Sequence, residues 1–128
     1  MAAKTAWTSD ELSKIGAAEE LQIAPPRQDG SLRKPVTIWV VRHGDDLYVR
    51  SVSGPDAAWF RGTRTRHEGR IRAGGVDKDV MFLDADRDAD DEIDDAYRAK
   101  YSRYPARILG TVLTPGARST TLKLVPRA

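Results

Sequence analysis

The residues best suited to chemistry lie between Arg50 and Arg61, where a predicted strand ends and a short helix begins. Backbone N–H groups at such a helix start, the hydroxyl of Ser51 and the arginine side chains can hold a phosphate or a carboxylate. The indole of Trp59 could pack against a flat ring. The same pattern also fits Trp59 and Phe60 as core residues beside arginines on a solvated rim. The stretch therefore indicates either a site for an anionic, ring-containing ligand or an ordinary piece of core and surface.

Positive charge continues beyond this stretch, and most of it comes from arginine: Arg61, Arg64, Arg66, Arg70 and Arg72. His67 lies inside the run and could contact an anion. Because the formal net charge is only +2, the pattern favours a local anion site over a general nucleic-acid surface. A barrel that stacks single-stranded nucleic acid on Trp39, Tyr48 and Trp59 is therefore disfavoured. No residue stands out as a general acid or base, and Tyr48 and His67 are the candidates for such a role.

Several other classes of site find no support. The chain has no cysteine, which excludes disulfides, thiolate nucleophiles and cysteine-based metal sites. It has two histidines, far apart, so we expect no metal. The acidic run from Asp84 to Asp95 fails the calcium-hand pattern, because Ala89 stands where the sharp-turn glycine belongs and Asp95 replaces the bidentate glutamate. We interpret this run as a strand end, a loop and a helix N-terminus. The glycine-rich phosphate and dinucleotide motifs and the serine-hydrolase motif are also missing.

The elements that would position these residues are short. Thr8 and Glu11 have capping-box spacing, which predicts a first helix that stops at Gly16. Asp56 is predicted to cap a short helix at 57–60, and the clearest helix spans about Asp90 to Tyr101. The segment 107–113 fits either a short helix or a strand.

The predicted strands alternate with turns. Leu21 and Ile23 belong to a first strand, and a turn is predicted at 28–31. The run Val36–Val41 is apolar on both faces, which predicts a central strand covered on both sides. Hairpins are predicted at 43–46 and at Gly74–Gly75, and a last strand at 120–125.

The whole chain of 128 residues suits one domain, residues 1–128. Its 40% hydrophobic and 31% charged residues can form a core and a solvated surface. No apolar run is long enough to cross a membrane, and no apolar signal core follows Met1, so we expect a cytoplasmic protein. Short, hairpin-connected strands with few helices predict an α+β fold built on a small closed or split barrel.

Three segments read together carry a family resemblance: Arg33–Val41, Asp45–Ser51 and Ala58–Arg61. They resemble the FMN-binding split-barrel superfamily, nearest the deazaflavin-dependent nitroreductase group. Its members have a basic residue and a proline before the first long strand, a Gly-Asp hairpin, a strand ending in serine and a loop-helix with a tryptophan. Nearly the whole chain is also similar to a small domain family of unknown function, through Trp7–Thr8, Ile15–Ala18, Arg33–Arg42, Tyr48–Ser51, Arg66–Gly69, Tyr97–Tyr101 and Thr120–Leu124.

The resemblance implies an α+β split β-barrel of about six mainly antiparallel strands with short flanking helices, often a homodimer. It implies an FMN or deazaflavin coenzyme bound near the strand end for a redox reaction. By position, the cofactor contacts would be Arg50, Ser51, Ser53, Trp59 and Arg61, with Arg66 and His67 as further candidates. The alternative is a non-enzymatic barrel that binds another small anionic ligand, or a protein partner, without flavin.

Overall fold

The computed structural model describes residues 6–25, 31 and 34–127, apart from the side chain of Thr65. Its strands are β1 Leu21–Ala24, β2 Val36–Ile38, β3 Val41–His43, β4 Asp46–Val49, β5 Glu68–Ala73, β6 Val76–Asp84 and β7 Leu122–Pro126. They form one curled half-barrel sheet in the order β2-β1-β5-β6-β7-β4-β3, and all neighbouring strands are antiparallel. The α+β split-barrel prediction is confirmed, with seven strands instead of about six.

The helices are α1 Ser9–Ala17, α2 Ala58–Arg66, α3 Asp90–Lys100, α4 Ala106–Leu109 and α5 Pro115–Arg118. Three single 3₁₀ turns lie at Gly54–Asp56, Arg87–Ala89 and Gly110–Val112. The segment 107–113, left open by its sequence, is therefore helical. The acidic run follows its interpretation, because it begins at the end of β6, passes through a turn and fills the first part of α3.

Two apolar clusters hold the sheet and the helices together. The larger cluster lies inside the half-barrel and joins alternate residues of the strands to α1 and the start of α2. The smaller cluster lies between β3–β4 and α3 and contains Ile93, Tyr97 and Tyr101. Strand β4 serves both, since Leu47 and Val49 face the first cluster and Tyr48 faces the second. The sheet is thus covered on both faces at β4.

The prediction of one central strand at Val36–Val41 is wrong. The extended conformation is interrupted at Trp39 and Val40, so this segment forms two short strands, β2 and β3, at opposite edges of the sheet. The Val40 N–H donates to the Tyr101 hydroxyl oxygen at 3.2 Å, and Lys100 Nζ donates to the Val40 carbonyl at 2.6 Å. These side chains take the backbone groups that a continuous strand would give to a neighbouring strand.

The first helix begins as predicted and ends slightly later. The Glu11 N–H donates to Thr8 Oγ1 at 3.1 Å and the Thr8 N–H donates to Glu11 Oε1 at 3.0 Å, which confirms the capping box. The predicted stop at Gly16 is wrong, because the helix runs on to Ala17. Gly16 instead allows close packing on β3, where an added Cβ would lie 3.3 Å from that of Arg42.

The predicted cap of α2 is also wrong, whereas both hairpins are confirmed. Ala57, not Asp56, precedes α2, no side chain caps this helix, and the helix continues through the basic run to Arg66. The hairpins turn at 44–45 and at Gly74–Gly75. Gly74 has φ +57°, and an added Cβ would lie 2.4 Å from the Lys14 carbonyl oxygen. The predicted turn at 28–31 lies mostly outside the described residues.

Candidate functional site

A cavity of about 320 Å³ opens beside the end of β4. Its walls come from β2, from the segment that leads into α2, and from α4 with the turn that follows it. Of the residues predicted to contact a cofactor, it brings together Arg50, Ser51, Ser53 and Trp59. The remaining lining residues are Glu20, Val36, Thr37, Ile38, Trp39, Val52, Ala57, Ile108, Thr111 and Val112. The lining is mainly apolar with a few hydroxyls, which is the usual composition of a small-molecule site.

Ser51 supplies the most unusual polar group in this cavity. Its residue is 1% exposed, and its Oγ has no hydrogen-bond partner among the described residues. Its backbone, in contrast, is fixed: the N–H donates to Thr120 Oγ1 at 2.8 Å and the carbonyl accepts from the Gly54 N–H at 3.0 Å. A buried hydroxyl without a hydrogen-bond partner costs free energy. A ligand group that bonds to this hydroxyl would remove that cost.

The Arg50 side chain makes its contacts inside the protein, although the residue borders the cavity. Its guanidinium is fully buried and forms an ion pair with Asp94. It also donates to Thr121 Oγ1 at 2.8 Å and to the carbonyls of Val112 and Asp90 at 2.9 and 3.2 Å. These contacts tie the end of β4 to α3 and to the turn after α4. Arg50 therefore stabilises the position of the cavity wall.

Two tryptophans form the aromatic part of the lining. Trp59 is 8% exposed and meets Phe60 edge to face, with ring centroids 6.0 Å apart. Trp39 is half-buried and stacks on Tyr101, with centroids 3.9 Å apart and planes within 5°. The centroid of the Tyr104 ring lies 4.9 Å from that of Trp39 and 6.0 Å from that of Tyr101. Both indoles are thus held in place before any ligand arrives.

Trp39 lines the cavity, although its sequence context placed it only in the nucleic-acid alternative and not among the predicted cofactor contacts. Its position depends on the break after β2 and on the stack with Tyr101, which is sixty-two positions further along the chain. Ile108 and Thr111 were missed for a similar reason, because the segment that carries them had no clear secondary structure in the sequence. A pairing between the acidic run and Arg50 was equally hidden.

The other predicted contacts lie outside this cavity. Arg61, Arg66 and His67 are exposed and do not line it. His67 ends α2 with φ +56°, and its carbonyl accepts from the Phe82 N–H at 2.7 Å. The second histidine, His43, shares a hydrogen bond of 2.8 Å with Glu92. The structure therefore separates the serine and tryptophan part of the predicted site from its basic part.

A second cavity, of about 540 Å³, lies on the other side of the segment at 53–60. It is lined by three arginines, Arg64, Arg87 and Arg118, but these are matched by carboxylates. Arg64 pairs with Asp84, and Arg87 Nε lies 3.5 Å from Asp90. Arg118 pairs with acids of α3. Balanced ion pairs of this kind leave little net charge for an anion.

Burial shifts the pKa of three groups in or just after α3. It raises the pKa of Tyr97, whose hydroxyl has no hydrogen-bond partner among the described residues and whose ring lies 5.4 Å from the Arg50 guanidinium. It also raises the pKa of Tyr101. It lowers the pKa of Lys100 to about 8.

Among the described residues, no group of three or more histidine, aspartate or glutamate side chains is arranged to hold a metal ion. No described helix has the length and apolar character needed to cross a membrane.

Most of the chain matches one known protein family. Residues 11–124 match the family described as uncharacterized protein conserved in bacteria (DUF2255). The chain belongs to this family. The description of the DUF2255 family assigns it no activity, and no curated protein matches the sequence significantly.

Solved structures with flavin-binding split-barrel-like folds are similar to this member of DUF2255. An F420 reductase is 16% identical, with a TM-score of 0.57 over 91% of this chain and 93% of that one. HutZ, the heme storage protein from Vibrio cholerae, is 14% identical, with a TM-score of 0.62 over 94% and 90%. An FAD and heme binding protein from Mycobacterium smegmatis is 14% identical, with a TM-score of 0.53 over 96% and 67%. At these identities the likeness shows the fold.

Proposed function

We propose that the cavity beside β4 binds the ring system of FMN or a deazaflavin coenzyme and that the protein uses this cofactor in a redox reaction. The Ser51 hydroxyl carries the proposal, because Ser51 lines the cavity and its buried Oγ has no hydrogen-bond partner among the described residues. Flavin and deazaflavin rings carry carbonyl and nitrogen acceptors along one edge, and a serine hydroxyl can donate to such an acceptor. The shape of the site supports the same ligand, because about 320 Å³ falls within the range of small-molecule pockets.

Each lining residue would have a definite part in binding. Trp39 and Trp59 would pack against the ring, since both are already held by aromatic neighbours. Ser51 and Ser53 would contact its polar edge. Arg50 would act as a positioning residue, because its ion pair fixes the segment that carries both serines. The bound cofactor would supply hydride chemistry, and the protein would hold its ring and limit the access of water.

The chemistry of the lining favours a flavin over heme. Heme iron in proteins is held by histidine, cysteine, methionine or tyrosine. None of these residue types is among the described residues that line the cavity. A ligand that needs only stacking and uncharged hydrogen bonds suits the lining better. The likeness to a fold found in an F420 reductase and an FAD and heme binding protein adds support for a cofactor of this size.

The proposal is tested by titrating the purified protein with FMN and, separately, with the deazaflavin coenzyme while tryptophan fluorescence is followed. Saturable quenching by either compound is the expected result, and the compound that quenches names the cofactor. If neither compound binds, the flavin proposal fails. The alternative of a non-enzymatic barrel that binds another small ligand or a protein partner would then take its place.

A further inference from the structure

We infer that the segment 100–104 at the end of α3 positions two stretches of the cavity wall, and that the Tyr101 hydroxyl sets ligand affinity through Trp39 without contacting the ligand. This inference rests on the proposed function and deepens it, because it adds positioning residues that act on the same cavity. We call the segment 100–104 the clamp. It joins two chain connections that each carry a lining residue, Glu20 between α1 and β1 and Trp39 between β2 and β3.

The clamp is attached to the connection between β2 and β3 by both of its first two residues. The Val40 N–H donates to the Tyr101 hydroxyl oxygen at 3.2 Å, and Lys100 Nζ donates to the Val40 carbonyl at 2.6 Å. The Tyr101 ring also stacks on Trp39, with centroids 3.9 Å apart. Tyr101 is fully buried and belongs to the smaller apolar cluster. Because Trp39 lines the cavity, these contacts fix one stretch of its wall.

The clamp is attached to the connection between α1 and β1 through Glu19. The Tyr101 hydroxyl donates to the Glu19 carbonyl at 2.8 Å. Arg103 forms an ion pair with the Glu19 carboxylate, and the Tyr104 hydroxyl lies 3.3 Å from the same carboxylate. The next residue, Glu20, lines the cavity. Three clamp residues therefore hold the chain directly beside a second stretch of the wall.

The Tyr101 hydroxyl is the group that joins the two connections. Two carbonyl oxygens lie within its reach, that of Glu19 at 2.8 Å and that of Val40 at 3.1 Å, but a hydroxyl has only one proton to donate. The Val40 carbonyl already accepts a charge-assisted hydrogen bond from Lys100. The Tyr101 proton therefore goes to Glu19, while its oxygen accepts from the Val40 N–H. One buried side chain thus links the backbone on both sides of the clamp.

Loss of this hydroxyl should move Trp39. Phenylalanine at position 101 would keep the stacked ring but leave the buried Val40 N–H without its acceptor. Buried backbone N–H groups are almost always paired, so the backbone at 39–40 should shift toward another acceptor and carry Trp39 with it. A wall that is held in its binding conformation before the ligand arrives lowers the ordering cost of binding. Displacement of Trp39 should therefore weaken the ligand.

The positioning is tested first without ligand, by proton–nitrogen NMR of Tyr101→Phe. We expect the Trp39 indole signal, assigned with Trp39→Leu, and the Glu20 amide signal to shift, and the Trp7 indole signal to stay in place. Tyr97→Phe is the matched control, because Tyr97 lies on α3 in the same apolar cluster and its hydroxyl has no hydrogen-bond partner among the described residues. A Trp39 signal that moves no further in Tyr101→Phe than in Tyr97→Phe would overturn the inference.

The effect on affinity is tested by a double-mutant cycle with Trp39→Leu. Calorimetry gives the dissociation constants of FMN and of the deazaflavin coenzyme for the native protein, each single variant and the double variant. We expect Tyr101→Phe to weaken binding by about three- to tenfold when Trp39 is present and by less than about twofold when it is replaced. Equal weakening in both backgrounds would indicate a general loss of structure and would overturn the role given to Trp39.

Two further results keep the outcomes distinct. If Tyr101→Phe does not fold, Lys100→Met takes its place, because it frees the Val40 carbonyl to compete with Glu19 for the Tyr101 proton. We expect the same pattern with smaller shifts, and an unchanged Trp39 signal in Lys100→Met would then overturn the inference. If neither compound binds the native protein, the proposed function fails, and the Trp39 signal alone decides whether the clamp positions the wall.

Discussion

At the scale of single residues, Arg50 and Ser51 are neighbours in the chain, but their side chains differ in how fully their polar groups are paired. All the contacts of the Arg50 side chain are made inside the protein, with α3, the turn after α4 and Thr121. The Ser51 hydroxyl, in contrast, has no hydrogen-bond partner among the described residues. Arg50, whose charge suggested a ligand contact in the sequence, therefore has a structural role, and the uncharged Ser51 beside it is the residue with the unpaired hydroxyl among the described residues.

Removing Arg50 should destabilise the protein strongly. Arg50→Met leaves the buried carboxylates of Asp94 and Asp90 without their main partner, and breaking a buried pair in this way costs about 3–5 kcal/mol. We expect a large fall in the free energy of unfolding, measured with urea. Arg98→Met is the control, because it removes an exposed pair with Asp95 at 3.1 Å and should change stability little. Equal stability of the two variants, together with lost cofactor binding by Arg50→Met alone, would instead favour a direct ligand contact.

At the scale of the elements, some local signals predict the structure, whereas the stop at Gly16 and the cap at Asp56 do not, and long-range contacts carry no local signal. The capping box at Thr8 and the hairpin at Gly74–Gly75 depend on residues a few positions apart, so the sequence reveals them. The break at Val40 depends on Tyr101, which no local pattern announces. The same limit applies to the site: Ser51, Ser53 and Trp59 could be predicted to lie together, but Trp39 could not.

Tyr101 should therefore matter for more than its ring. Tyr101→Phe leaves the buried Val40 N–H without an acceptor, and it leaves the Glu19 carbonyl, 2.8 Å from the hydroxyl, without this donor. We expect a loss of about 1–3 kcal/mol in the free energy of unfolding and faster hydrogen exchange at the Val40 amide. Tyr104→Phe is the control, because its hydroxyl reaches only a Glu19 carboxylate oxygen, at 3.3 Å. An unchanged exchange rate at Val40 would contradict the explanation given for the break.

At the scale of the whole molecule, the half-barrel places its apolar interior and the cavity beside β4 next to each other. One apolar cluster fills the inside of the sheet, and the cavity opens where β2, the start of α2 and α4 leave a gap. Three exposed apolar side chains border that gap: Val36, Val52 and Ile108. Exposed apolar surface of this kind can take part in association between subunits. The homodimer that the family resemblance implies stays a prediction, which light scattering would test.

The buried tyrosines predict how stability depends on pH. Burial raises the pKa of Tyr97 above its ordinary value of about 10. The folded state therefore keeps this proton where the unfolded state loses it, so the stabilising effect is complete below about pH 10 and is lost as the pH rises further. The lowered pKa of Lys100, about 8, acts in the opposite direction between about pH 8 and pH 10.5. The two effects must be separated by mutation.

Tyr97→Phe separates them, because it removes only a hydroxyl that has no hydrogen-bond partner among the described residues and leaves Lys100 unchanged. We expect the variant to be at least as stable as the native protein at neutral pH, and to lose less stability between about pH 10 and pH 11. Urea unfolding at a series of pH values measures both quantities. Identical slopes for the two proteins above pH 10 would show that Tyr97 does not titrate differently in the folded state.

The central claim, that a flavin-type ring binds in the cavity beside β4, is tested most directly by amide and indole proton–nitrogen NMR spectra recorded during a titration with FMN or the deazaflavin coenzyme. We predict shifts at the indoles of Trp39 and Trp59 and at amides within 36–39, 51–53 and 108–112. The Trp7 indole should stay unshifted, because its N–H is buried and donates to the Leu124 carbonyl at 2.9 Å. Shifts confined to other surfaces, or no shifts at saturating ligand, would contradict the account.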